Sequence, residues 1–344
     1  NLIKQANQFI LMGVDISDLV EHQELDLKNL AGRKIAIDAF NTLYQFLAII
    51  RQPDGTPLMN SKGQTTSHLS GLFYRTAKLI EFGIQPCFVF DGKPPDLKAD
   101  TIIARGRIKK AARKKWQEAV EQKDLVAAKK YAQATSKLNE QMVNDSKTLL
   151  DALGVPWVQA PSEGEAQASL ICQQNDVYAV GSQDFDSLLF GAPKLVRNIT
   201  ITGKRKVPGK NYHYELKPHL IELDKVLKEL KVTQEQLIEI GIMVGTDFNP
   251  GIKGIGPKKA LKAVLEGNWK EQEYAVDPEV VKKIFTKPEV SKEYELKWGD
   301  ADLDKLLEIL HEKNEFSKER VEHTYEKLEK AGRAKNQSSL EQWG

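Results

Sequence analysis

Short apolar runs alternate with amphipathic segments along the chain up to Gly191. Four runs, RKIAIDAFN, IQPCFVFDG, GVPWVQAPSEG and DVYAVGSQDFD, are bounded by polar or turn residues, which is typical of buried strands. We predict that they end at Asp38, at Asp91, at Pro161 and near Gly181. The segments between them, GLFYRTAKLIEFG and the polar stretch 102–153, have helical patterns. This alternation predicts an α/β domain with a mostly parallel sheet.

The pattern changes after Gly191. PKLVRNITITGKRKV predicts a hairpin or an edge strand, and TQEQLIEIGIMVG predicts a helix that starts at Thr233. The glycine-rich segment TDFNPGIKGIGPKKALKAVLEG follows. Residues 277–330 are highly charged and predict further helix, whereas residues 333–344 have little pattern and predict a flexible tail.

Composition limits the class of protein. The 344 residues are 41% hydrophobic and 28% charged, which is the balance of a globular protein, and no apolar run is long enough for a membrane span. The two cysteines, Cys87 and Cys172, lie in separate apolar segments. We therefore expect an intracellular protein with two buried thiols and no zinc site.

Charge is unevenly distributed although the formal net charge is only +2. Residues 101–117 hold seven Lys or Arg and no acid, and GKRKVPGK and KGIGPKKALK are also basic. These clusters predict a polyanionic partner. The segment 102–140 has few large apolar residues, so two interpretations stay open: a solvated helical pair, or an arm that becomes ordered around a ligand.

Acidic residues stand at or just after the ends of the four predicted strands. They are Asp38, Asp91, the pair Glu163 and Glu165, and the pair Asp184 and Asp186; Asp247 comes just before the glycine-rich loop. Singly, each could be a helix cap or a turn residue. Jointly, they would converge at the carboxyl edge of a parallel sheet and repel one another unless cations compensate. Oxygen ligands alone favour Mg²⁺ or Mn²⁺, and two such ions can hydrolyse a phosphodiester.

Three other local patterns carry predictions. Ser162 and Glu165 have capping-box spacing, so we expect Ser162 to cap a helix while Glu163 and Glu165 face metal. The loop around Gly254 and Gly256, with its lysines, predicts contact with a duplex backbone, the alternative being a tight turn between helices. Tyr44 is either a stacking platform for a base or a core residue.

Several blocks resemble the flap endonucleases, structure-specific 5′ nucleases, and most closely their archaeal members. The blocks are IAIDAFNTLYQFL, TSHLSGLFYRT, VFDGKPPDLK, QAPSEGEAQA, SQDFDSLLFG, VGTDFNPGIKGIGPKKAL and QSSLEQWG. The resemblance implies a 5′-nuclease (PIN-like) α/β core with a mostly parallel central sheet, a helical arch and a helix–two-turns–helix element. The implied regions are a non-native leader 1–11, an N region 12–110, an arch 95–145, an I region 127–267 with the helix–two-turns–helix at about 234–267, a helical part 268–332 and a tail 333–344.

The resemblance also implies roles for individual residues. The metal ligands, which are also catalytic, would be Asp38, Asp91, Glu163, Glu165, Asp184, Asp186 and Asp247. Lys98 and Arg105 would face the scissile phosphate, and Tyr44 would stack a nucleobase. The DNA-binding set would be Tyr44, Arg51, Arg75, Glu163, Gly245, Asp247, Lys253, Gly254, Gly256, Lys258 and Lys259. The loop from Gly251 to Lys259 would hold the downstream duplex together with a potassium ion.

The implied function is that of a 5′ flap endonuclease with 5′–3′ exonuclease activity, acting with two Mg²⁺ ions, or Mn²⁺ in their place. It would serve Okazaki fragment maturation and base excision repair as a monomer on flapped or nicked DNA, in the cytoplasm or nucleoid of an archaeon and not at a membrane. Gln337, Leu340 and Trp343 would bind the sliding clamp PCNA, more weakly because Gly344 replaces a second aromatic residue.

Two other functions stay open on the sequence alone. One is that of a junction resolvase or a 5′ exonuclease of the same superfamily. The other is that of a catalytically silent adaptor between DNA and the clamp, which would need the basic loop and the tail but not the acids.

Overall fold

The computed structural model describes residues 13–201, 203–206 and 213–341. The predicted leader 1–11 and Trp343 lie outside this range, and the side chains of Gln337 and Leu340 are likewise outside the described part.

A seven-stranded sheet lies at the centre of the fold, in the order β1-β9-β6-β5-β2-β3-β4. Strands β4, β3, β2, β5 and β6 are parallel, and β9 and β1 add two antiparallel strands at one edge. This confirms the predicted α/β class with a mostly parallel sheet. The strands are β1 (Gln23–Glu24), β2 (Lys34–Asp38), β3 (Gln85–Phe90), β4 (Trp157–Gln159), β5 (Ala179–Gly181), β6 (Lys194–Arg197), β7 (Gly203–Lys206), β8 (His213–Leu216) and β9 (His219–Glu222).

The segment after Gly191 differs in part from its prediction. Lys194–Arg197 is neither an edge strand nor half of a hairpin, since β6 is bonded to β5 on one side and to β9 on the other. Both residues in its middle, Leu195 and Val196, are buried, which fits a strand covered on two faces. The hairpin of this region is formed by β7 and β8 and stands apart from the central sheet.

Helices cover both faces of the sheet because the strand side chains alternate. Ile35 and Ile37 of β2 belong to a core with helices on one face, whereas Ala36 packs in a separate core on the other. The helices are α1 (Ala39–Ile49), α2 (Ser67–Glu81), α3 (Ala99–Glu121), α4 (Leu125–Gln133), α5 (Glu140–Ala152), α6 (Gly164–Gln173), α7 (Asp186–Leu189), α8 (Leu223–Leu230), α9 (Gln234–Val244), α10 (Pro257–Leu265), α11 (Pro278–Thr286), α12 (Leu303–Leu306) and α13 (Lys318–Glu341).

The basic segment that follows β3 forms a helical hairpin of α3 and α4. Its contact with the rest of the fold includes Trp116, whose Nε1 donates to the carbonyl oxygen of Asp54 at 2.9 Å. Much of its apolar surface is not buried: Ile103 of α3 is 54% exposed and Val126 of α4 is 83% exposed. The hairpin therefore stands out from the core, over the range in which we expected the arch.

The C-terminal part is less helical than its charge pattern predicted. Residues 288–302, here called the strap, contain no helix or strand. Their side chains Tyr294, Leu296 and Trp298 pack against the core behind β3. Trp298 Nε1 donates to the Pro86 carbonyl at 2.7 Å. Conversely, α13 continues to Glu341, into the segment for which we predicted no regular structure. Within the described ranges, none of the helices combines the length and apolarity that a membrane crossing requires.

Candidate active site

The seven predicted metal ligands, Asp38, Asp91, Glu163, Glu165, Asp184, Asp186 and Asp247, are here called the acid cluster. Six of them lie at or just after the carboxyl ends of β2, β3, β4 and β5. The strand order reverses between β2 and β5, and such a switch point is where ligands of α/β sheets bind. The seventh, Asp247, is brought to the same place by the turn that follows α9.

Asp38 and Asp184 are joined by a residue that the sequence analysis missed. The backbone N–H of Asn41 donates to Asp38 Oδ1 at 3.0 Å, so Asp38 does cap helix α1. The side chain of the same Asn41 donates through Nδ2 to Asp184 Oδ2 at 2.7 Å. An Asn in the first turn of a helix has no pattern that would distinguish this role from an ordinary polar residue.

Backbone N–H groups hold two more of the acids. Gly164, the first residue of α6, donates to Asp91 Oδ1 at 2.8 Å, and Val14 donates to Asp186 Oδ1 at 2.7 Å. Gly13 precedes this contact with a φ of +110°, and a Cβ there would lie 2.8 Å from Asp186 Oδ2. A glycine is therefore required at this position for close approach to the carboxylate.

The predicted capping box at Ser162 is wrong. Helix α6 begins at Gly164 with Glu163 in the cap position, one residue later than the Ser-x-x-Glu spacing requires. The Ser162 hydroxyl instead donates to the Lys93 carbonyl at 3.1 Å, and Glu165 Oε1 accepts from the Ser187 hydroxyl at 3.1 Å. Neither glutamate side chain caps the helix, and both belong to the acid cluster.

Two cations at the base of α3 contact the acid cluster. Lys98 Nζ lies 2.6 Å from Glu163 Oε2 and 3.3 Å from Asp247 Oδ2, and Arg105 forms an ion pair with the other oxygen of Asp247. The turn that carries Asp247 is built by its neighbours, since the Thr246 hydroxyl donates to Asn249 Oδ1 at 2.8 Å. Asp247 is therefore more than a turn residue, because its carboxylate pairs with Lys98 and Arg105.

Burial and mutual repulsion raise the pKa values of the six acids of the cluster that follow the strands. Burial raises the pKa of Asp38 to about 6 and is also the first cause for Asp91 and Asp186, whose pKa values rise to about 7. For Glu165 and Asp184, burial and then the charge of Asp186 raise the pKa well above its ordinary range. If all seven acids were ionised, the cluster would carry more negative charge than its own cations can balance, and the raised pKa values are the consequence.

Burial also acts on Lys98, in the opposite direction. It lowers the pKa of the Lys98 ammonium, but the attraction of Glu163, Asp247 and Asp91 outweighs it, so the pKa is raised on balance. The ammonium is therefore charged at neutral pH and is available to an anion.

The donor set of the acid cluster fits a hard divalent cation. All of its ligating atoms are carboxylate oxygens, and Asp184 Oδ1 is buried with no hydrogen-bond partner among the described residues. In the described part of the chain, no group of three or more His, Cys, Asp or Glu side chains is arranged to hold a metal ion as it stands. The ammonium of Lys98 stands between Glu163 and Asp247, and repulsion keeps uncompensated carboxylates apart, so small side-chain movements would have to accompany metal binding.

Tyr44 lies half-buried on α1 at the side of the cluster. The Lys109 ammonium of α3 is 4.6 Å from the centre of its ring. Burial raises the pKa of the Tyr44 phenol, and Arg105 and Asp91 are close enough to influence it. Tyr44 is therefore placed between the helical hairpin and the acids, with its ring in contact with a cation.

The glycine-rich loop joins α9 to α10, over the range expected for the helix–two-turns–helix. The first part is compact: Gly251 has a φ of +70°, and a Cβ there would be 2.3 Å from the Val244 carbonyl. Around Gly254 and Gly256, by contrast, a Cβ would meet no other atom within 4 Å. The loop thus leaves an open backbone surface next to exposed lysines, which are Lys253, Lys258 and Lys259.

Two predicted DNA-contacting arginines do not lie in the acid cluster. Arg51 donates to the Leu47 and Gly55 carbonyls at 2.7 and 2.8 Å and to the Ser136 hydroxyl at 3.1 Å, so it ties α1 to the loop after α4. Arg75 is on α2 and lines a cavity of about 560 Å³ between that helix and the segment 215–218.

Comparison with known proteins supports one assignment throughout. Residues 12–112 match the XPG N-terminal domain and residues 154–247 match the XPG I-region. Flap endonuclease 1 of Thermococcus onnurineus is 54% identical over 96% of this chain and 99% of its own length. The structure of a flap endonuclease-1 from Methanococcus jannaschii is 41% identical, with a TM-score of 0.75 over 94% of this chain and all of that one. The catalytic core of Rad2, solved in complex with a DNA substrate, is 25% identical, with a TM-score of 0.66 over 91% of this chain and 97% of its own.

These similarities extend over nearly the whole chain and confirm the resemblance that the sequence motifs indicated. The chain therefore belongs to the flap endonuclease family, a family of nucleases that hydrolyse phosphodiester bonds.

Proposed function

We propose that this chain is a structure-specific 5′ flap endonuclease, with 5′–3′ exonuclease activity, that hydrolyses DNA at junctions between single strand and duplex. The observation that carries the proposal is the acid cluster at the switch point of the sheet, with Lys98 and Arg105 of the basic hairpin in direct contact with it. An acidic centre inside a basic surface suits a polyanionic substrate whose charge must be neutralised where it is cut.

The acid cluster would hold two Mg²⁺ ions, or Mn²⁺ in their place, through the carboxylates listed above. When bound, these ions would lower the pKa of the attacking water and stabilise charge on the attacking and leaving oxygens. Their charge would also offset the burial and the repulsion that together raise the pKa values of Asp91 and Asp186 in the protein alone. Carboxylates without His or Cys favour such hard cations over zinc.

Lys98 and Arg105 would stabilise the scissile phosphate. Both cations ion-pair with Asp247 in the DNA-free protein. We expect them to exchange these carboxylates for phosphate oxygens when the substrate enters, since a cation aimed at developing negative charge is worth several kcal/mol in a water-poor site.

Other residues would position the DNA. Tyr44 would stack the nucleobase next to the cut, because its ring is half-buried at the side of the acid cluster. Lys253, Lys258 and Lys259, with the open backbone at Gly254 and Gly256, would contact phosphates of the downstream duplex, with a potassium ion at the loop. Arg51, Arg75 and Gly245 complete the set of DNA contacts that we propose.

In the cell, this activity would serve Okazaki fragment maturation and base excision repair. We propose that the chain acts as a monomer and that Gln337, Leu340 and Trp343 bind the sliding clamp PCNA. The DNA substrate is supported by the similarity to the Rad2 core in its DNA complex, whereas the clamp contact is supported only by the sequence QSSLEQWG.

The test is cleavage of an end-labelled double-flap DNA with Mg²⁺ and with a chelator. We expect cleavage near the base of the 5′ flap with Mg²⁺ and none with the chelator. Nicked, gapped and four-way substrates in the same assay discriminate the flap nuclease from a resolvase or a pure exonuclease. Flap cleavage that survives chelation, or a preference for the four-way junction, would overturn the proposal.

A further inference from the structure

Asn41 is a buried residue of α1 that contacts two acids from different strands. It is 8% exposed and lies in the first turn of the helix that leaves β2. Its backbone N–H holds Asp38 Oδ1 at 3.0 Å, and its side-chain Nδ2 holds Asp184 Oδ2 at 2.7 Å. One residue therefore spans the gap between the end of β2 and the loop after β5.

The two contacts differ in their dependence on the side chain. Any residue except proline can supply the backbone bond from position 41 to Asp38, but only a side-chain donor of this length can reach Asp184. The second oxygen of Asp184, Oδ1, is buried without a partner among the described residues. The amide of Asn41 thus fixes one oxygen of the carboxylate and leaves the other one open for a ligand.

We propose that Asn41 is a positioning residue that presents Asp184 to the metal, an inference that rests on the proposed function. The hydrogen bond from the Asn41 amide to one carboxylate oxygen restricts the rotation of the Asp184 side chain. This rotational freedom would otherwise be lost when Asp184 binds a cation. It also offsets part of the cost of burying this acid next to Asp38 and Asp186. Loss of such a hydrogen bond to a metal ligand typically lowers metal affinity by about 10- to 100-fold.

The polar groups nearest to Asp184, in the loop after β5 and on β6, make their hydrogen bonds to or from the loop backbone. The backbone N–H of Asp184 itself donates to the Ser182 hydroxyl at 3.2 Å. Arg197 Nε donates to the neighbouring Gln183 carbonyl at 2.9 Å rather than to the Asp184 carboxylate. These bonds hold the loop backbone, so the orientation of the Asp184 carboxylate depends on Asn41.

The test is calorimetric titration of Mn²⁺ into the full chain without DNA, combined with cleavage rates measured over a range of Mg²⁺ concentrations. Asn41→Leu keeps the branched shape of the side chain and the backbone bond but removes the donor. We expect its Mn²⁺ Kd to rise about 10-fold and its half-saturating Mg²⁺ concentration to rise in parallel. The rate at saturating Mg²⁺ should recover to near that of the parent. If Asn41→Leu does not fold, Asn41→Ser takes its place in the test. The Ser side chain is too short to reach Asp184, so the Mn²⁺ Kd and the half-saturating Mg²⁺ concentration should both rise.

The matched control is Gln45→Met, one turn further along α1. Gln45 is also buried, but its Oε1 accepts from the Thr200 hydroxyl at 2.9 Å, and within the described part of the chain its side chain has no hydrogen bond to an acid. This variant should leave Mn²⁺ affinity unchanged. In an Asp184→Ala background, Asn41→Leu should have no further effect on affinity, because the contact it removes is already gone.

Two results would overturn the inference while leaving the proposed function intact. One is an Asn41→Leu protein that binds Mn²⁺ as tightly as the parent. The other is an equal loss of affinity from Asn41→Leu in the Asp184→Ala background, which would assign the effect to general packing. Failure of the parent chain itself to bind Mn²⁺ or to cleave with Mg²⁺ would instead count against the proposed function.

Discussion

Among the described residues, two ionic groups that contain a buried acid differ in design. Between α9 and α11, Lys282 Nζ lies 2.8 Å from Glu239 Oε1 and 3.0 Å from Glu235 Oε2, and only one of these acids, Glu239, is buried. This Lys282 group is close to balanced in charge. The acid cluster, by contrast, gathers seven carboxylates around Lys98 and Arg105 and raises the pKa values of most of them.

The difference separates a structural contact from a ligand site. A buried pair with matched charges holds two helices together and needs nothing further. An unbalanced group of like charges is costly in the protein alone, and the fold tolerates it at the sheet edge because a ligand can complete it. Substitutions in the two groups should therefore affect different measurements.

The largest expected effect is on catalysis at the acid cluster. Asp186→Ala removes a buried carboxylate that we propose as a metal ligand, and it should lower the single-turnover rate on a 5′-flap substrate by about 1,000-fold or more, equivalent to several kcal/mol. Binding of the same DNA, measured by fluorescence anisotropy, should change little. If the variant cleaves within about 10-fold of the parent rate, Asp186 is not needed for catalysis, and the acid cluster is not distinguished from the Lys282 group in this way.

The corresponding change in the Lys282 group should affect stability instead. Lys282→Met leaves Glu239 buried without its partner and should lower the free energy of unfolding by about 3 kcal/mol. Denaturant titration measures this loss, and the flap-cleavage rate below the unfolding transition should stay within about 2-fold of the parent. A stable variant with impaired cleavage would contradict the assignment of Lys282 to structure.

The pH dependence of stability should also differ between the two groups. The pKa values of Asp38, Asp91 and Asp186 are raised to about 6, 7 and 7, so between pH of about 4 and 7 the folded protein without divalent ions binds more protons than the unfolded chain. The extra protons that these three acids bind in the folded state stabilise the fold. This stabilisation is fully present below pH of about 4 and is lost as the pH rises through the raised pKa values of about 6 to 7. We expect the free energy of unfolding in a chelator to fall over this window.

Denaturant titrations at several pH values provide the check. Asp186→Asn should reduce the slope and Mg²⁺ should flatten it, whereas Lys282→Met, which leaves Glu239 buried without its cation, should not reduce it. A slope that is the same in the Asp186→Asn protein would show that the acid cluster is not its source.

The smallest expected effect concerns the glycine-rich loop. Lys258→Ala combined with Lys259→Ala should remove up to two phosphate contacts and reduce the salt dependence of duplex binding by about 1 in slope for each contact. The rate at saturating DNA should change little because neither lysine touches the acid cluster. An unchanged salt slope would indicate that the duplex lies elsewhere.

Much of the site could be predicted because it follows from strand ends. Asp38, Asp91, Glu163 and Asp184 come directly after apolar runs, and parallel pairing brings such positions to one edge. The strand β6 was harder to place, since its position between β5 and β9 depends on antiparallel pairing with a segment more than twenty residues away. The strap 288–302 was missed for a related reason: its structure depends on aromatic contacts to β3 and not on a local period.

Side-chain partners were the least predictable features. Ser162 has the spacing of a cap, yet the helix starts one residue too late for it, and its hydroxyl bonds to Lys93. Asn41 reaches Asp184 across 143 positions of sequence, which no local pattern can indicate. The pairing of Lys98 with Glu163 and Asp247 likewise depends on how α3 rises from the sheet.

The central claim is that the acid cluster is completed by divalent cations, and Mn²⁺ binding stoichiometry tests it most directly. Calorimetric titration of the DNA-free chain should give about two Mn²⁺ ions per molecule, as expected for a two-metal site. Asp186→Ala should bind fewer, and Lys282→Met should bind as many as the parent. The account would be contradicted if the parent bound no Mn²⁺, or if Asp186→Ala bound the same number of ions with the same affinity.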